Sequence, residues 1–200
     1  MSWLLASMQF RPVTLTGREV ELQPLSWDHF SELAKLAADE TIWRWYTHSF
    51  HTPEAFRKMM AGALDEQARG VSVPFATFEV VSQRLAGATR FMNIDHANRR
   101  AEIGSTWLAP PFQRTHVNTE AKYLMLRHAF EVWGYNRVEF KTDALNAQSR
   151  AAIARLGAKE EGTLRNHMVC ESGRLRHSVY FSVIAEEWPA VKAGLEARLR

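Results

Sequence analysis

Asn146 opens the stretch NAQSRAAIARLG, which follows RVEFKTD at Arg137–Asp143 and precedes the extended piece AKEEGTL. The alternation in RVEFKTD reads as a strand, and Asn146–Leu156, closed by Leu-Gly, reads as a short helix. A strand that delivers an Asn to the first turn of a helix fixes a polar amide at the strand's carboxyl end, where sheets usually bind ligands. Asn is also among the best helix N-caps, so Asn146 is either a cap or a ligand contact. Glu102, inside the strand-like run Ala101–Leu108, is the second candidate. An acid half-buried beside a cleft suits a general base, whereas one on the surface would pair with Arg99 or Arg100. The one cysteine, Cys170, excludes an internal disulfide and reads as a buried or strand-borne thiol. His167 and His177 invite a metal, but no two histidines stand at ligand spacing with a Cys or carboxylate, so no metal is expected.

Several elements must position these groups. Glu19–Leu25 alternates as a half-buried strand, and Asp28–Ala38 carries Phe30, Leu33, Leu36 and Ala37 at helical spacing. Thr52-Pro53-Glu54 is a strong helix start, with Phe56, Met59, Met60 and Ala63 as the apolar stripe behind it. Between these helices the aromatic connection Ile42–Tyr46 either plugs the edge of the core or walls an acceptor pocket. Phe75–Val81, Leu85–Asn93 and Ala101–Leu108 read as strands joined by hairpins. In the third, alternation puts Glu102, Gly104, Thr106 and Leu108 on one face and Ile103, Ser105 and Trp107 on the other. Pro110-Pro111 ends that strand. Asn118 to about Trp133 reads as a helix with Ala121, Leu124, Met125, His128 and Val132 on one side, stopped by Gly134. Val179–Ile184 closes the sheet, and Trp188-Pro189 opens a tail helix running through Leu195 and Leu199. The pattern implies an α/β or α+β chain with one mixed sheet and helices on its faces.

Composition narrows the function classes. The chain has 200 residues, 46% hydrophobic and 24% charged, which suits one soluble domain over 1–200, with a core at 17–185 and a C-terminal helix at 186–200. No apolar run approaches the ~20 residues that span a bilayer, and the opening residues lack a basic n-region, so no membrane association is expected and a cytoplasmic location is. The net charge of +3 is scattered, which gives no footprint for nucleic acid. Surface remains for a homodimer.

The strand–Asn–helix unit, together with AEIGSTWLAPPFQRTHVNTEAKYLMLRHAFE upstream, resembles the GNAT acyltransferase superfamily over roughly Gly17 to Pro189. The resemblance is greatest to the branch that acetylates N-terminal amines of ribosomal proteins. It implies a single GNAT-like domain with a mixed, mostly antiparallel sheet of about seven strands. It also implies acetyl-CoA as co-substrate, and a primary amine, first a peptide or protein N-terminus, as acceptor. A small-molecule amine, or another acyl-CoA such as succinyl-CoA, is the alternative.

The same resemblance assigns residues. The pyrophosphate would sit on the helix start Gln113, Arg114, Thr115, His116, Val117, Asn118 and Thr119. Relatives carry small residues where this chain has His116 and Asn118, so the His116 side chain must point away from the phosphates or the loop must sit differently. Trp107 and Leu108 match the strand end that pairs with the pantetheine arm, although Trp107 equally suits core packing. Asn146 matches the Asn that contacts pantetheine or acceptor. Where many relatives place a proton-donating Tyr this chain has Ile153; Ser149 matches the Ser used by the ribosomal-protein branch, or reaches back to the cap. Tyr180 is a reserve donor, and Glu102 matches a frequent base. A CoA-binding module without turnover, or a protein-interaction domain, are the rival readings.

Overall fold

The computed structural model describes residues 12–199. Eight strands form one sheet: β1 Leu15–Thr16, β2 Val20–Pro24, β3 Val73–Glu79, β4 Arg84–Asp95, β5 Arg100–Leu108, β6 Arg137–Asp143, β7 Lys159–Val169 and β8 Leu175–Ile184. Their order is β1-β2-β3-β4-β5-β6-β8-β7, and only β5 and β6 run parallel. The strand beyond the expected seven is the two-residue β1, which pairs Leu15 with Leu22. Five helices complete the fold: α1 Phe30–Ala37, α2 Pro53–Ala68, α3 His116–Arg127, α4 Ala147–Arg155 and α5 Trp188–Arg198.

Helices cover both faces. Leu33, Ala37, Phe56, Met60 and Ala63 of α1 and α2 pack with Trp43 and Trp107 on one side. Val117, Ala121, Leu124 and Met125 of α3, with Ile153 of α4 and Val191 and Leu195 of α5, fill the other. Each such large side chain contributes on the order of 1.5–3 kcal/mol by leaving water. The Thr52-Pro53 start holds, with the Thr52 hydroxyl accepting from Ala55 N–H at 3.2 Å.

Two phase changes depart from the sequence pattern. In β5, Ser105 has φ +47° and the register with β4 slips between Ala88 and Arg90, so a bulge interrupts the alternation. Ile103 therefore faces α3 while Trp107 joins the α1–α2 core, and the two do not share a face as strict alternation expects. The second change follows α3, where His128–Val132 forms a π turn. The wider turn rotates Ala129 and Trp133 inward and leaves Val132 at 64% exposure, so Val132 falls off the buried stripe. The helix also starts at His116 rather than Asn118, because Thr115 caps it.

Candidate active site

β5 and β6 pair only through Arg100–Arg137, Ala101–Val138 and Glu102–Glu139. Beyond Glu102 they part: β5 stays with β4 as far as Leu108, and β6 stays with β8 as far as Asp143. The sheet thus opens as a wedge at the carboxyl ends of its parallel pair. Its side along β5 has no strand partner. Two β5 carbonyls there are met by side chains, Thr106 O by the Tyr46 hydroxyl at 2.8 Å and Leu108 O by Gln113 Nε2 at 2.9 Å. Gln113 is in this way a clamp between the strand end and the following helix.

At the apex of the wedge lies Glu102, 3% exposed. Asn93 donates to its Oε2 at 2.9 Å, and the Lys141 ammonium sits 3.5 Å from the same oxygen. The surface pairing with Arg99 or Arg100 is not formed, since Arg100 goes to Asp95 and Glu139. Tyr180 on β8 stands opposite Lys141 in the register, with the ammonium 5.8 Å from its ring centre. Burial pushes the Tyr180 hydroxyl above its usual range, and the charges of Glu102 and Glu139 push it the same way. The apex therefore gathers a carboxylate, a cation and a phenol that holds its proton.

At the mouth is the N-terminus of α3. Thr115 is the cap: its hydroxyl accepts from Val117 N–H at 3.3 Å and donates to Phe112 O at 2.7 Å. The other N–H groups of the first turn, at His116 and Asn118, have no intrahelical acceptor and carry the positive end of the helix dipole. Arg114 turns the chain into this helix with φ +61° and is exposed. Val117 is wholly buried, so only its backbone belongs to the site. Thr119 and Asn118 are half-buried. The His116 ring is directed to the β2–β3 edge, with Nε2 3.1 Å from Glu19 and 3.6 Å from Glu79, near enough for ion pairing though not aligned as a hydrogen bond. It stands away from the open helix end.

β6 leads into α4 on the far wall of the wedge. Asn146 Oδ1 accepts from Ser149 N–H at 3.0 Å, so this oxygen is the helix cap. Ser149 is half-buried, and Ile153 is part of the core. Trp107 is 4% exposed and packs its ring near Trp43 and Phe56, which makes its side chain part of the core. The aromatic connection divides by residue: Trp43 is core and donates to Ala37 O at 2.8 Å, whereas Trp45 lies between the guanidinium groups of Arg44 and Arg174. Cys170 is buried at the turn between β7 and β8. An open concavity of about 570 Å³ along Thr163–Asn166 and His177 lies on the edge hairpin and apart from this wedge.

One residue carries a signal that helical periodicity does not reveal. Lys122 of α3 is 5% exposed, and its ammonium donates to Thr89 Oγ1 at 2.9 Å and Thr106 Oγ1 at 2.6 Å. Burial with no carboxylate at hand lowers it to about 7. Thr89 and Thr106 face each other at 2.8 Å across the β5 bulge, and Arg90 donates to Ser105 Oγ at 3.1 Å. The bulge is thus held from three sides by side chains.

The site thus combines a wedge between two parallel strands, an open helix N-terminus at its mouth and a carboxylate near a phenol at its apex. The chain belongs to the acetyltransferase (GNAT) domain family, whose pattern matches residues 19–159. A "GCN5-related N-acetyltransferase" of Brucella melitensis has the same fold, with TM-score 0.87 at 33% identity, covering 95% of this chain and 86% of that one. RimJ of Mycobacterium smegmatis, solved in complex with CoA-disulfide, shares the fold with TM-score 0.83 at 24% identity, over 96% and 97% of the two chains. Among curated proteins, the "Putative ribosomal N-acetyltransferase YdaF" of Bacillus subtilis (strain 168) is 35% identical over 108 residues. That match spans 54% of this chain and 58% of the relative's length. The ribosomal-protein branch that the sequence resembles is therefore also the one to which its curated relative is ascribed. Among the described residues, no helix is long and apolar enough to cross a membrane.

Proposed function

We propose that the chain transfers the acetyl group of acetyl-CoA to a primary amine, with a peptide or protein N-terminus as the first acceptor class. The observation that carries this reading is the parting of β5 and β6 immediately after Glu102, with Lys141 and Tyr180 gathered at the same point. The first-turn N–H groups of α3, helped by the exposed Arg114, receive the donor's pyrophosphate. The edge of β5 at Thr106–Leu108, which no other strand covers among the described residues, lies along the pantetheine arm as an added strand would. The Asn146 amide nitrogen contacts the donor from the opposite wall.

In the wedge, Glu102 takes a proton from the acceptor ammonium, directly or through water, and the freed amine attacks the thioester carbonyl. Tyr180 gives its proton to the leaving thiolate and recovers one from the nitrogen, which sheds its second proton as the tetrahedral intermediate collapses, while the proton on Glu102 passes to solvent. Tyr180 takes precedence over Ser149 because it stands with Glu102 and Lys141 at the apex. No covalent enzyme intermediate is needed, consistent with Cys170 standing buried at a turn. The ribosomal activity ascribed to the curated relative favours a protein N-terminus over a small amine. The test is incubation with acetyl-CoA or succinyl-CoA and a panel of peptides and small amines, read by thiol release and by the mass and position of the added group. Acetylation of a peptide α-amine supports the reading; a full panel with neither thiol release nor product overturns it.

A further inference from the structure

Arg176 is a buried cation that the described residues hold only loosely. Three neighbouring cations on the acceptor side each have a carboxylate: Arg174 with Asp143 at 2.6 Å, Arg90 with Glu66 at 2.6 Å and Lys141 with Glu102 at 3.5 Å. Arg176 is 8% exposed, and its Nε is buried without a hydrogen-bond partner. Its nearest carboxylate oxygen is Asp143 Oδ2 at 4.0 Å, which Arg174 already holds, while Asp143 Oδ1 accepts from Leu145 N–H at 2.9 Å. A guanidinium taken out of water with so little return is costly, and a partner brought by a ligand would offset that cost.

Its position says which ligand. Ser178 of β8 stands opposite Asp143, the last residue of β6, so Arg176 lies past the end of β6 on the Tyr180 face. Its charge acts on the hydroxyls of both Tyr46 and Tyr180. Its Nε lies 4.0 Å from Asp143 Oδ2 at the end of β6, so the guanidinium stands at the β6 side of the wedge, on the face that carries Tyr180. A planar guanidinium recognises a carboxylate through paired N–H donors.

We propose that Arg176 receives a carboxylate of the acceptor, so that the preferred amine carries an acidic group close to the nitrogen that is acetylated. This rests on the acyltransferase reading above. The carboxylate has two sources, an acidic side chain near a peptide N-terminus or the α-carboxylate of a free amino acid.

The experiment is calorimetric binding to the CoA-saturated protein of two peptides that differ only in Glu or Gln at the second position. Free glutamate and its α-amide form a third arm, and Arg176→Gln is run beside the wild type. The expected result is a preference of about tenfold or more for the Glu peptide in the wild type, falling to near parity in Arg176→Gln with CoA affinity retained. If only the free amino acid discriminates carboxylate from amide, the α-carboxylate is the source. Equal binding within both pairs by the wild type overturns the proposal, and that comparison needs no variant to fold. So does an Arg176→Gln effect confined to CoA affinity. Selective binding without acetylation of any acceptor would sustain the carboxylate site and overturn the transferase reading instead.

Discussion

Lys141 brings its ammonium to 3.5 Å from Glu102 Oε2 at the point where β5 and β6 part. Asn93 donates to the same oxygen at 2.9 Å, which leaves Oε1 for a proton from the wedge. A base at the apex is meaningful because the strands diverge only beyond it.

Glu102→Gln keeps the Asn93 and Lys141 neighbours and removes the proton acceptor. The expected loss in kcat/KM is about 10²–10⁴-fold, with the acid limb of the pH–rate profile flattened. An unchanged acid limb would exclude Glu102 as the base.

Lys122 gives a pH signature in stability. Its ammonium is lowered from 10.5 to about 7 by burial, so between these values the unfolded chain binds a proton that the folded chain does not. Unfolding free energy attributable to this group therefore rises with pH through that window, by at most about 1.4 kcal/mol per unit, and is flat below it. Compared with Lys122→Met, the wild type should gain about 2 kcal/mol between pH 7 and pH 9 in denaturant titrations. Parallel stability profiles for the two proteins would contradict a buried, unpaired ammonium.

Asn146 can be divided between its two roles. Asn146→Asp keeps the Oδ1 that caps Ser149, whereas Asn146→Ala loses the cap at a cost of about 1 kcal/mol. If the amide nitrogen contacts the donor, Asn146→Asp should unfold like the wild type yet turn over at least about tenfold more slowly. Full turnover in Asn146→Asp would leave Asn146 as a cap alone.

His116 should matter little to the donor. Its ring pairs with Glu19 and Glu79 rather than with the helix end, so His116→Ala should leave the KM for acetyl-CoA within about twofold and cost on the order of 0.2–1 kcal/mol of stability. A large rise in KM would show that the ring reaches the phosphates after all.

Features written in local chemistry were legible in the sequence. Arg137–Asp143 is the strand its alternation implies, the Thr52-Pro53 start caps α2, and the Asn146 turn is where its neighbours place it. The His116 ring lies beside Glu19 and Glu79, an environment that its place at the helix start did not reveal. What failed was phase. A bulge at Ser105 inserts one residue and reverses the side chains after it, and a π turn at His128–Val132 shifts the buried stripe of a helix by about one position. The bulge is held by tertiary partners, Lys122, Thr89 and Arg90, that no local period records. Lys122 went unseen for a related reason: a lysine on a helix reads as solvent-facing until the two threonines that receive it are brought together. The loosely held charge of Arg176 is also a property of the assembled face, since it appears only once the carboxylates nearby have been paired.

The most direct test of the account is a thermal-shift titration of the purified protein with acetyl-CoA, with CoA and succinyl-CoA beside it. A ligand bound only by the folded state raises stability with the logarithm of its concentration above Kd. The account predicts a rise with acetyl-CoA that turns logarithmic above its Kd, smaller in Asn146→Asp and kept in His116→Ala. No shift up to millimolar concentrations of any of the three would contradict it, because the wedge and the open end of α3 would then not form a donor site.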